Sequence, residues 1–352
     1  MDLDLFLEIL GVPSISGDER TLAGFLKERL AAPQVHEYEV GDGTVNLLFD
    51  WSGTGRPSFV FCTHLDTVPP HIPPSVALVS AGDRLPDGET ALRDDTLIKG
   101  RGSCDAKGQI FSMYNACLKL RGEGFKDFGL LLLSGEETGS QGAKAYDRDN
   151  PGGDFLVVGE PTGNRLVSAS KGTKSFEVTI PGKACHSGYP EAGASAVERF
   201  VDLMNTLNLV EFPNDPILGP TTWNVGDLVS SNPQNILSPE ISFRIYFRTT
   251  FATDDLIHNK LLGACQRGSV IHAYGGDPPM TYFSDVEGIP SITAAFGSDA
   301  PRLGKFARRA IIGPGSILTA HTDKEYVLAG DLATAVERYV ALFKTVTNEL
   351  NK

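Results

Sequence analysis

Short unbroken apolar runs separated by helical patterns fill the first half of the chain. VNLLFD (45–50), SFVFCT (58–63), GLLLLS (129–134) and DFLVVG (154–159) have the continuous apolar character of strands buried on both faces. Among these runs, Leu22, Phe25, Leu26 and Leu30 fall on one face of a helix over 18–30, and AKGQIFSMYNACLKL (106–120) predicts another. This alternation predicts an α/β layer around a mostly parallel sheet centre. After about residue 167 the period changes. SFEVTI (175–180) and ISFRIYFRTT (241–250) alternate polar and apolar residues, as half-exposed antiparallel strands do. Amphipathic helices are expected over 194–209 and 253–266, the second with Thr253 as N-cap before Asp254 and Asp255. The buried-run texture returns in RAIIGPG (309–315), and a helix from 329 closes the chain. The expected fold class is α/β: a mixed, mostly parallel-centred sheet flanked by helices, with an inserted two-layer α+β domain. Its boundaries are drawn at 1–168 and 277–352 for the outer domain and 169–276 for the insert.

Composition narrows the partners. The 352 residues carry 31 Lys and Arg against 44 Asp and Glu, a formal charge of −13. That balance lacks the basic stripe of a nucleic-acid or anionic-membrane surface, so neither partner is expected. The N-terminal MDLDLFLEIL has acidic residues where a signal peptide carries Lys or Arg. No apolar run approaches the roughly 18–20 residues of a membrane span. The five cysteines are scattered, odd in number and form no CxxC pair, which fits thiols in a reducing compartment. The expectation is a soluble cytoplasmic protein.

The residues that follow each buried run carry the chemistry. SFVFCT leads into His64 and, two residues on, Asp66; GLLLLS leads into Gly135, Glu136 and Glu137; DFLVVG leads into Glu160. Asp105 lies in the Gly-rich KGRGSCDAKG ahead of a helix, and His321 in the loop after RAIIG. Singly, each has an ordinary reading: a hydrogen-bonded histidine, a solvated Glu-Glu turn, an Asp beside Gly in a turn. Jointly they fall where open α/β sheets bind ligands, outside the carboxyl ends of the strands. So many acids in one crevice raise one another's pKa unless a cation neutralises them. Two histidines and three carboxylates suit Zn²⁺ or a similar ion. A bridging carboxylate gives a two-metal arrangement, and a second Glu beside a ligand Glu is placed as a general base.

THLDTVPP (63–70), GRGSCDAKG (100–108), SGEETGSQG (134–142), GEPTG (159–163) and AHTDKEYV (320–327) resemble, in this order, the successive motifs of the M20 family of dinuclear metallohydrolases. The resemblance implies a zinc-peptidase-like catalytic domain with an inserted lid and dimerisation domain. It implies two divalent ions, Zn²⁺ or alternatively Co²⁺. His64 and Glu160 would hold one, Glu137 and His321 the other, with Asp105 bridging. Asp66 would hold the other ring nitrogen of His64, Glu136 would act as general base, and the Asp105–Ala106 peptide bond would be cis.

KGTKSFEVTIPGKACHSGYP (171–190) is similar to the family stretch that opens the lid. That similarity implies a homodimer in which His186 stabilises the oxyanion in the partner subunit's site, with Asn235 of NPQNILSP also contributed across the dimer. Arg248 occupies the position of a family arginine that grips the substrate carboxylate; Arg244, on the same strand face, is the alternative. Lys171, Ser298 and the turn at Gly315 are further carboxylate-binding candidates, Lys171 departing from the arginine of several relatives. The motifs look most like the acetylornithine deacetylase and succinyl-diaminopimelate desuccinylase-type deacylases. The expected reaction is therefore removal of an acetyl or succinyl group from an amino acid such as N-acetylornithine or N-acetylcitrulline, in arginine or lysine biosynthesis. A di- or tripeptidase or carboxypeptidase of the family is the alternative, and a non-catalytic binding protein the remote one.

Overall fold

The computed structural model describes residues 1–41 and 43–350. It divides into two compact units: Met1–Ser168 with Tyr282–Ile292 and Ser298–Lys352, and Ala169–Thr281 with Thr293–Gly297. The return to the first unit thus falls at 282, later than the expected 277. Met280–Thr281 pairs with Ser170 and Ala169, which keeps that segment with the second unit.

In the first unit a six-stranded sheet runs in the order Gln34–Gly41, Thr44–Asp50, Phe128–Leu133, Phe59–His64, Phe155–Val158, Arg308–Ile311. The first two junctions are antiparallel and the remaining three parallel. Every residue of Phe128–Leu133, Phe59–His64 and Phe155–Val158 is buried, as their apolar runs require of strands covered on both faces. The covers are the helices. Phe343, on the closing helix Ala329–Leu350, meets Phe59 at 4.9 Å and Phe128 at 5.7 Å between ring centroids, both edge-on. The helix Lys107–Gly122 is buried almost all round its first two turns, wedged against the sheet and the closing helix. The sequence pattern did not reveal the helix Leu3–Gly11, the edge strand Gln34–Gly41 or the small sheet built on Ser75–Val79 and Asp95–Lys99. Among the described residues no helix is long and apolar enough to cross a membrane.

The second unit is a four-stranded antiparallel sheet, ordered Thr222–Val229, Glu240–Thr249, Gly172–Pro181, Val270–Gly275. The period-2 pattern is resolved as expected: Ile241, Phe243, Ile245 and Phe247 face the core with Leu203, Leu207, Ile257 and Leu261. Arg244, Tyr246 and Arg248 lie on the opposite face. The helix Ala196–Leu209 begins at Ser195, whose hydroxyl accepts the Glu198 N–H at 3.3 Å. Thr253 stands at the expected cap position, but its side chain makes no capping hydrogen bond. Asp254–Leu256 is a 3₁₀ turn before the helix Ile257–Ala264, and Thr253 Oγ1 instead accepts from Thr250 N at 3.0 Å.

Candidate metal centre

Parallel strands end in step, and that places the donors. His64 is the last residue of its strand, opposite Leu133, so Glu136 and Glu137 follow immediately beyond the neighbouring strand. Cys62 lies opposite Val158, and Glu160 comes two residues later. Asp105 enters the helix Lys107–Gly122 through a cis peptide bond to Ala106, as the resemblance implied. His321 adopts the left-handed region at φ 64°, uncommon for a side chain other than glycine and a mark of a functional turn.

His64 Nε2 is 3.0 Å from Asp105 Oδ1, while His321 Nε2 is 2.8 Å from Glu137 Oε1 and 3.3 Å from Asp105 Oδ2. Asp105 therefore faces both histidines, one through each oxygen. Ligand atoms of His64, Asp105 and Glu137 lie within 4.8 Å of one another. Glu160 is buried, and its Oε1 has no hydrogen-bond partner. A buried carboxylate oxygen without a donor is costly unless a cation meets it.

The electrostatics point the same way. Burial pushes Glu160 well above its ordinary range, reinforced by Glu136 and Asp105. Burial also pushes Glu136 well up; His64 opposes, while Asp299, Glu137 and Asp105 add to the rise. At Asp105 burial is outweighed by hydrogen bonds from His321 and His64, which hold it far below the usual carboxylate range. His321 is raised to about 10 by its hydrogen bonds to Asp105 and Glu137. His64 is also raised: burial alone would lower it, but its bonds to Asp105 and Asp66 prevail. The raised imidazoles and the raised carboxylates both mark a cluster that demands positive charge. A divalent cation satisfies the same demand, and the donor set of imidazole nitrogen and carboxylate oxygen fits one.

The second layer is built from residues that grip backbone. His64 Nδ1 donates to the Asp66 carbonyl at 2.9 Å, fixing the tautomer that leaves Nε2 toward Asp105. The Asp66 carboxylate also faces that nitrogen, at 3.5 Å, the contact expected of it, although the carbonyl is nearer. Its oxygens accept from Glu136 N at 3.0 Å, Glu137 N at 3.1 Å and Ser16 Oγ at 2.8 Å. Asp66 thus holds the turn that carries both glutamates. Buried Glu19 joins it, accepting Gly135 N at 3.1 Å. Gln109 donates to Cys104 O and Pro314 O, tying the Asp105 loop to the Gly-Pro-Gly-Ser turn.

Sequence reasoning missed Glu19, Gln109 and Asp299. Asp299 is buried and close enough to raise Glu136; burial lifts its own pKa to about 6, although Ser140 hydrogen-bonds to it. Nothing in FGSDAP distinguishes it from a loop acid. Ser298 accepts from Ala300 N at 3.3 Å. Gly315 has a packing reason: at φ 83° its added Cβ would meet Cys104 Cβ at 2.3 Å.

In the second unit, His186 and Asn235 are brought together and exposed: Ser187 N donates to Asn235 O at 2.9 Å, and His186 bridges to Ile236. His186 Nδ1 accepts the Gly188 N–H at 3.1 Å, so the neutral ring carries its proton on Nε2. Arg244 is engaged with Asp227 at 3.6 Å and stacks over Tyr274 at 4.1 Å. Arg248 lies over the Tyr246 ring at 5.0 Å. Lys171 is buried, donates to Pro220 O, and has its pKa lowered by burial and by Arg248.

A strand-end cluster of two imidazoles and several carboxylates on an α/β sheet defines a metallohydrolase class. The chain belongs to peptidase family M20/M25/M40, whose family profile matches residues 60–345. It is 31% identical to a probable carboxypeptidase of Uncinocarpus reesii, over 97% of this chain and 86% of that protein. Its fold matches a tripeptidase from Staphylococcus aureus with a TM-score of 0.76 at 19% identity, covering 98% of each chain. It also matches an M20 metallo-carboxypeptidase from Sulfolobus solfataricus, TM-score 0.71 at 17% identity, over 97% of this chain and 98% of that one. The chain is thus an M20-family hydrolase, and the family implies divalent metal. The names of the relatives favour the peptidase alternative over the acetylornithine-type deacylase, and lend no support to a place in arginine biosynthesis.

Proposed function

We propose that this chain is a dinuclear metallopeptidase that cleaves the amide bond next to a free C-terminal carboxylate in a short peptide. The observation that carries this reading is the convergence of His64, Asp105 and Glu137 donors within 4.8 Å beside Glu136. The carboxypeptidase relative adds the substrate class. His64 and Glu160 would hold one ion and Glu137 and His321 the other, with Asp105 between them. When bound, such a pair supplies carbonyl polarisation and a water acidic enough to attack near neutral pH.

The protein's own groups do the rest. Glu136, with a pKa lifted by burial, is suited to take a proton from the attacking water and return it to the leaving amine. Arg248, which has no carboxylate partner among the described residues of its unit, is suited to bind the substrate carboxylate through its fork. Lys171 adds a second cation there. The Nε2–H of His186 is a donor for the oxyanion, with Asn235 beside it. In this proposal, the two lid residues act across a homodimer.

An N-acyl amino acid offers the same amide and the same carboxylate, so one assay separates the readings. The panel is an N-blocked dipeptide, its C-terminal amide, Gly-Gly-Gly, N-acetylornithine, N-acetylcitrulline and N-succinyl-diaminopimelate, each with Zn²⁺ or Co²⁺. Turnover of the blocked dipeptide but not its amide is expected. Turnover restricted to an acyl amino acid moves the chain to the deacylases, and turnover of Gly-Gly-Gly alone moves it to the tripeptidases.

A further inference from the structure

Three loops deliver His64, Asp105 and His321, and one buried ion pair touches all three. Arg101 and Glu325 are both buried, with Nη1 2.7 Å from Oε2. Glu325 Oε1 accepts the backbone N–H of Gly102 at 2.9 Å, Cys104 at 3.2 Å and Asp105 at 3.1 Å. The carboxylate therefore wraps the loop that ends in Asp105. Arg101 Nη1 also donates to Thr322 O at 3.0 Å, next to His321. Arg101 Nε donates to Pro70 O at 3.3 Å, and its backbone N–H to Ile72 O at 3.0 Å, in the segment leading from His64 and Asp66.

A buried ion pair is poor value as a stabiliser, because desolvation offsets much of its attraction. Hydrophobic residues of similar volume would avoid that desolvation. They would not accept three amide protons or reach two carbonyls in fixed directions. His321 needs such restraint: its side chain is half exposed, its backbone is left-handed, and its ring must meet both Glu137 and Asp105.

We propose that Arg101 and Glu325 form a positioning pair that sets His321 and Asp105 in register for metal binding. The inference rests on the metal reading proposed above. Outer partners of metal ligands typically alter affinity by about 10–100-fold when removed.

The test uses Glu325→Gln, which keeps an acceptor for the amides but removes the charge facing Arg101, and Arg101→Lys, which keeps the charge but removes the fork. Phe343→Leu, a core change remote from these loops, serves as the comparison. Zn²⁺ affinity is measured on metal-stripped full-length protein by competition with a chromophoric chelator, well below the unfolding temperature. Co²⁺ absorption spectra report ligand geometry. Wild type should take up two ions, and at least one of the pair variants should lose roughly 10-fold or more in affinity with an altered Co²⁺ spectrum. Phe343→Leu should leave both unchanged. If Glu325→Gln does not fold, Arg101→Lys decides. Wild-type affinity and spectrum in the folded pair variants, or an equal loss in Phe343→Leu, overturns the positioning role alone. A wild type that takes up no ion overturns the metal reading and the positioning role with it.

Discussion

The strand-end loops of the first unit and the exposed loops and strand face of the second carry the proposed functional side chains under opposite physical conditions. His64, Asp66, Asp105 and Glu160 are buried, and several pKa values are driven far from their ordinary positions. Each carrying loop is held by side chains gripping backbone: Asp66 and Glu19 on the Glu136 turn, Glu325 on the Asp105 loop. His186 and Asn235 are exposed, and backbone hydrogen bonds hold them together. Groups that must exchange protons or hold cations gain from desolvation and rigid support. Groups that only offer a donor need direction, and a single Gly188 N–H on the His186 ring provides it.

That contrast predicts unequal losses. The largest comes from stripping metal: activity on the blocked dipeptide should vanish with a chelator and return on adding Zn²⁺ or Co²⁺. Persistence in the stripped protein would place the chemistry elsewhere. Glu136→Gln should lower kcat by about 10²–10⁴-fold, with two ions still bound by elemental analysis. His186→Ala should cost about 10²–10³-fold in kcat and change KM little, because its donor acts on charge that develops during the reaction. Arg248→Met should instead raise KM for substrates with a free C-terminus and leave the C-terminal amide as poor as before. Equal effects on both substrates would remove Arg248 from carboxylate recognition.

The smallest effect is on stability. Asp331, in the first turn of the closing helix, is raised to about 6 by burial, reinforced by Asp95. The folded state then binds this proton more tightly than the unfolded chain, so its contribution falls as pH rises from about 4 to about 6. Asp331→Asn should be more stable than wild type by about 1–2 kcal/mol at pH 8, after allowance for partial exposure. The gain should fade below pH 4. Urea melts across that range read it directly, and a gain independent of pH would show that the charge is not its source.

Much of this was legible because burial leaves a periodic trace. Continuous runs such as GLLLLS became fully buried strands, and alternation in ISFRIYFRTT put Arg244 and Arg248 on one face. Strand ends could be read from those runs, and with them the donors. The supporting layer could not. Glu19 reaches Gly135 across 116 residues and Gln109 reaches Pro314 across 205, while Asp299 meets Ser140 from a distant loop, contacts that no local period encodes. Asp66 does more than expected: besides facing the His64 ring, its carboxylate holds the glutamate turn through two backbone contacts that no local pattern encodes. Thr253 keeps the cap position ahead of Asp254 but makes no side-chain capping bond, its hydroxyl being committed to Thr250 and Thr221.

The most direct test of the account is release of the C-terminal amino acid from an N-blocked dipeptide, followed side by side in Zn²⁺-loaded wild type and Zn²⁺-loaded Glu136→Gln. The account predicts rapid release by wild type and loss of at least about 10²-fold in the variant, with equal metal content in both. Equal turnover by the two proteins would contradict it, since the base beside the cluster would then have no part in the reaction.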